Sequence, residues 1–140
     1  MTDKRHTKYL EKLTSVASKL PPVKASRVAA CIVYKGRVVS VGVNSKRSDT
    51  FQKRFSKNEH AIYLHAEIAA IKAAKKHLSL DELKKSTLYV CRVRFDNDDP
   101  TPEWGMSKPC EGCRRAIVEY QIHQVVYTLD GGGYEIVENW

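Results

Sequence analysis

Apolar side chains recur at Tyr9, Leu10, Leu13, Val16, Ala17 and Leu20, the spacing of one helical face, and Pro21-Pro22 then stops the pattern. The period changes after that. Residues 28–34 and 37–43 are β-branched runs joined by Lys35-Gly36, a two-residue connection whose glycine suits a tight hairpin. From 44 to 63 neither period holds. Residues 64–78 read as helix, with Ile68, Ile71 and Leu78 among alanines; 87–93 as strand; 110–120 as helix; and 123–129 as strand. Strands alternating with helices predict an α/β layered domain. The tail, Asp130 followed by three glycines and a short run to Val137, leaves no room for a crossover helix. The last strand is therefore expected to return antiparallel.

The 140 residues fit one domain spanning 1–140, with no internal repeat or low-complexity tract. The N-terminus lacks the apolar core of a secretion signal, and no run approaches the roughly 18 apolar residues that cross a bilayer. A soluble, cytoplasmic protein without a membrane partner is expected. The formal charge of +8 favours an anionic partner, a nucleotide phosphate or a nucleic-acid backbone. Solvated surface lysines would give the same excess.

The cysteines sharpen the chemistry. In a reducing compartment a Cys110-x-x-Cys113 pair binds metal or does redox work. Cys31 and Cys91 lie in apolar, strand-like stretches and read as buried core thiols. Pro109 precedes Cys110, which places both sulfurs of the pair at a helix N-terminus, where the dipole favours thiolates. A closed structural zinc site needs four protein ligands, and a second cysteine pair is missing. His6 falls in a polar terminus, His60 in the irregular stretch, His77 at a helix end and His123 at a strand start. His65, in His65-Ala66-Glu67 at the head of the alanine-rich helix, is then the third ligand. One histidine and two cysteines leave a coordination position for water, the composition of a catalytic zinc site with one ion per chain. Glu67 can reach over the same helix end as a proton shuttle.

His-x-Glu followed by Pro-Cys-x-x-Cys resembles the signature of the cytidine and deoxycytidylate deaminase superfamily, across roughly residues 25–130. The resemblance implies a three-layer fold, with a mixed sheet of about five strands between helices and zinc between the two motif helices. It also implies hydrolytic deamination, with Glu67 moving protons to the ring nitrogen and the departing amine. By the same resemblance Asn44 is the sugar-contacting asparagine, the Ala66 backbone amide receives the base carbonyl, and Ser107 contacts base or sugar. A homo-oligomer is implied as well.

The substrate is less constrained, because this scaffold serves many heterocycles. The first expectation is a free nucleotide of the dCMP type, with Lys46, Arg47, Lys53 and Arg54 available for its phosphate. The second is single-stranded DNA or tRNA, with Phe51, Phe55, Tyr63 and Trp104 in loops where bases could stack. A non-catalytic zinc interaction module is the reading from another class, and it has no use for Glu67. The antiparallel ending resembles nucleoside-type cytidine deaminases more than deoxycytidylate enzymes. No cluster for a second zinc or a nucleotide-triphosphate regulatory site is evident.

Overall fold

The computed structural model describes residues 4–20, 27–45, 65–96 and 99–140. Helix α1 spans Lys4–Ser18, β1 Arg27–Tyr34, β2 Arg37–Val43, α2 Ala66–Ala74, α3 Leu80–Leu83 and β3 Thr87–Asp96. They are followed by β4 Asp99–Gly105, α4 Glu111–Glu119, β5 Gln124–Thr128 and β6 Tyr134–Glu138. Lys35 and Gly36 both take positive φ, 51° and 74°, as a two-residue turn matched to strand twist requires.

The strands form one six-stranded mixed sheet in the order β2-β1-β3-β5-β6, with β4 added to the end of β3. β3 and β5 are parallel, and the remaining pairings are antiparallel, including the β5–β6 return. Alternation along the strands sorts the core into two layers. Ala30, Ile32, Leu88, Val90, Val125 and Tyr127 meet α2 and α4, whereas Ala29, Cys31, Val33, Tyr89, Cys91, Val93 and Val126 meet α1. Helices therefore cover both faces, and the two cores share one sheet. Among the described residues no helix is long and apolar enough to cross a membrane.

Several expectations change. Among the described residues the mixed sheet has six strands, one beyond the expected five, the addition being β4, whose two prolines make it read as loop. Proline is tolerated there since β4 pairs with β3 alone. The helix expected over 64–78 is shorter, Ala66–Ala74, and a separate helix α3 follows from a capping box in which Ser79 and Glu82 satisfy each other's backbone N–H groups. His6 is no polar-terminus residue; it lies on α1, buried, with Nδ1 2.6 Å from the Tyr89 hydroxyl. Trp104 is in β4, not a loop, and its indole N–H donates to Thr14 of α1 at 2.7 Å.

Gly42 sets the position of α2. A Cβ on Gly42 would stand 2.4 Å from the Ala66 carbonyl oxygen and 2.4 Å from the Ala70 nitrogen, so α2 rests directly on β2 at that point. The Ser40 hydroxyl fixes the next turn by donating to the Ala70 carbonyl at 2.7 Å.

Candidate metal centre and active site

Two helices begin side by side on the same face of the sheet. His65 is the N-cap of α2, with extended backbone (φ −86°, ψ 152°), and its side chain makes no capping hydrogen bond to its own helix. Cys110 is the N-cap of α4, also extended (φ −68°, ψ 172°), so the helix starts one residue later than Pro109 suggests. Cys113 is three residues on, which returns it to the same end of the helix.

These three side chains converge. His65 Nδ1 is 3.5 Å from Cys110 Sγ and 3.4 Å from Cys113 Sγ. All three donor atoms lie within 4.8 Å of one another. A tetrahedral zinc ion bound at ordinary Zn–N and Zn–S lengths separates its nitrogen and sulfur ligands by about 3.6 Å. The donor set therefore fits zinc in identity and in spacing, with Nδ1 as the histidine atom that faces the sulfurs.

Electrostatics favour the same arrangement. Cys110 is lowered from 9.0 to about 4, chiefly by the hydrogen bond from the Cys113 thiol, against burial and with help from His65. Cys113 is pushed the other way because it donates that hydrogen bond and is itself buried beside Glu67. The two sulfurs share a proton and titrate as a unit, and a bound cation favours the deprotonated form of both.

Glu67, in the first turn of α2, is 6% exposed. Burial raises its carboxyl above the ordinary range, partly offset by its own backbone N–H and by His65. A hydrogen bond with Cys113 ties it to the same cluster. A buried carboxyl with raised affinity for a proton, beside two helix N-termini, can both take up and release one.

The remaining sequence-predicted residues take different places. The Asn44 side-chain oxygen accepts from the Val28 N–H at 3.1 Å, which locks its amide against β1 beyond the end of β2. Ala66, the first helical residue, is buried under His65. Ser107 is engaged in the sheet: its hydroxyl is 3.0 Å from the Val90 carbonyl and 2.8 Å from Thr128 Oγ1, and it accepts from the Thr128 N–H at 2.8 Å. It anchors the segment that delivers Cys110. Thr128 is the partner that sequence reasoning missed, and only the strand pairing reveals it. Lys46, Arg47, Lys53, Arg54, Phe51, Phe55 and Tyr63 lie outside the described residues.

The family model described as the cytidine and deoxycytidylate deaminase zinc-binding region matches residues 3–129. Among solved structures, the cytidine deaminase from Burkholderia pseudomallei superposes with a TM-score of 0.64 at 20% identity, covering 99% of this chain and 94% of that one. The dCMP deaminase from the cyanophage S-TIM5 gives 0.62 at 20% identity, over 94% and 87% of the two chains, and has also been solved in complex with dCMP and dUMP. A tRNA:A34 deaminase gives 0.50 at 23% identity over 86% and 75%. No curated protein is a significant match to the sequence.

Proposed function

The chain belongs to the cytidine and deoxycytidylate deaminase family, and from that premise we propose that it deaminates a cytosine-type base in a free, dCMP-like nucleotide to the uracil form, releasing ammonia. The observation that carries the reading is the meeting of His65, Cys110 and Cys113 within 4.8 Å beside the buried carboxyl of Glu67.

His65 Nδ1 and the two cysteine sulfurs would hold one zinc ion. Bound zinc supplies a Lewis acid that makes water a nucleophile at neutral pH. Glu67 accepts the proton that water loses as its oxygen bonds to the amine-bearing ring carbon. It returns that proton to the adjacent ring nitrogen, then moves the remaining water-derived proton to the amine as the C–N bond breaks. Water is consumed, ammonia leaves and the keto base remains. The α2 N-terminus contributes the Ala66 N–H for the base carbonyl, and Asn44, held by Val28, contacts the sugar.

The nucleotide reading draws on the +8 charge and on the cyanophage relative, which was solved with dCMP and dUMP. A tRNA or single-stranded DNA substrate is the second reading, favoured by the same charge and by the tRNA:A34 relative. Trp104 gives it no support, because its ring packs against the core under α1 and its indole N–H is held by Thr14. We read residues 1–140 as one domain and expect a homo-oligomer.

Ammonia release from cytidine, deoxycytidine, CMP, dCMP, single-stranded DNA and tRNA, at low and moderate salt, tests the proposal. Preferred turnover of dCMP with little salt dependence is expected. Turnover of a polymer alone, falling steeply with salt, would transfer the assignment to the second reading.

A further inference from the structure

Backbone registers align the strands into rows across the face that carries α2 and α4. Gly42, Ala30, Val90 and Tyr127 form one row. α2 starts there, with Ala66 on Gly42; α4 starts beside it, its N-cap Cys110 3.5 Å from His65 Nδ1, after a segment that Ser107 pins to the Val90 carbonyl. From this row α2 runs back towards Ser40. The next row, Asn44, Val28, Arg92 and Gly105, therefore lies beyond the helix ends, on the side where His65 and Cys110 project.

Arg92 continues the side of β3 that carries Leu88 and Val90, where alternation would place another apolar residue. Its opposite neighbour is glycine. A Cβ at position 105 would be 3.3 Å from Arg92 Cδ and 2.6 Å from Arg94 Cδ, so Gly105 lets the two arginine stems lie flat across β4. Arg92 Nε is buried without a hydrogen-bond partner, the one such side-chain nitrogen or oxygen among the described residues. Asp130, the nearby acid, is hydrogen-bonded by Arg94 at 3.0 Å and by the Met106 N–H at 2.9 Å, and it meets Arg92 through charge without a hydrogen bond to the buried Nε. A guanidinium stays charged and is costly to bury without an acceptor. Arg92 thus shares a row with Asn44, two residues of strand or about 7 Å past the row on which Ala66 sits.

We infer that Arg92 is the residue that receives the substrate's 5′-phosphate monoester, its guanidinium donating to the phosphate oxygens while the base lies at His65, Cys110 and Cys113. This rests on the deaminase reading above and deepens it, because it makes the nucleotide preference a property of one side chain.

The test measures turnover of dCMP and deoxycytidine, and calorimetric binding of dUMP and inorganic phosphate, for the zinc-loaded wild type, Arg92→Gln, Arg92→Lys and a Lys76→Gln control. Lys76 is an exposed lysine past the far end of α2. Arg92→Gln is expected to weaken dUMP binding and raise the KM for dCMP by about 10- to 100-fold, as loss of a charge-assisted hydrogen bond does. Deoxycytidine turnover should stay within about two-fold. Arg92→Lys should recover part of the loss, keeping charge without the planar fork. If Arg92→Gln does not fold, a several-fold loss in Arg92→Lys confined to phosphate-bearing compounds decides the matter. Equal loss with dCMP and deoxycytidine, unchanged dUMP binding, or no dUMP binding by the wild type would overturn the assignment. A wild type that turns over nothing yet loses dUMP affinity on Arg92→Gln would sink the deaminase reading and leave Arg92 in place.

Discussion

Cys31 and Cys91 stand in adjacent strands on the face covered by α1, whereas Cys110 and Cys113 open α4 on the other face. The first pair is sealed in an apolar core. Burial raises Cys31 from 9.0 to about 12 and Cys91 to about 11, so both are inert thiols at neutral pH. In the second pair the hydrogen bond from the Cys113 thiol, helped by His65 and by the Cys113 backbone N–H, brings Cys110 down to about 4 against burial. The same residue type thus serves as a small hydrophobe in one place and a metal ligand candidate in the other. What separates them is the local field and the supply of hydrogen-bond donors.

The comparison breaks most visibly at the second pair. Cys113→Ser keeps a short polar side chain but removes a soft thiolate, so stoichiometric zinc should be lost and deamination should fall by about 10³-fold or more. Cys31→Ala should retain full zinc in the same metal analysis. A Cys113→Ser protein that still binds one zinc per chain would remove that residue from the ligand set.

Glu67→Gln sharpens the distinction between holding the metal and using it. Its shape and burial are conserved, so zinc content should be unchanged while kcat falls about 10²- to 10⁴-fold. Loss of zinc in that variant would make Glu67 a structural partner of Cys113 and no proton shuttle.

The smallest effect belongs to the core pair and depends on pH. A thiol whose folded value lies above its unfolded value stabilises the protein below the unfolded value, and the contribution is lost as pH rises through the folded one. Thermal stability should therefore decline from about pH 9 towards 11–12, and the decline should be shallower in Cys31→Ala. At neutral pH that variant should cost about 1 kcal/mol through lost packing. Identical alkaline melting in wild type and variant would show that burial does not hold the Cys31 thiol above its unfolded value.

The chain's own pattern set out much of this protein. Helical spacing placed α1, which buries one face, and continuous apolar runs placed β1, β3 and β5, which are covered on both faces; β2 and the antiparallel return of β6 followed from the turns that precede them. His65, Glu67, Cys110 and Cys113 were readable because their chemistry is rare and their spacing is short. Residues whose roles depend on what lies across the sheet were not readable. The prolines of β4 hid a strand that β3 supports from one side, and Ser107 gave no sign that Val90 and Thr128 would occupy its hydroxyl. His6 and Trp104 looked exposed until α1 was laid on the sheet. Arg92 left one trace, a charge in the apolar phase of a strand, whose meaning needed the register that puts it past the ends of α2 and α4. Local periodicity reports which face a residue takes, and only tertiary packing decides what that face meets.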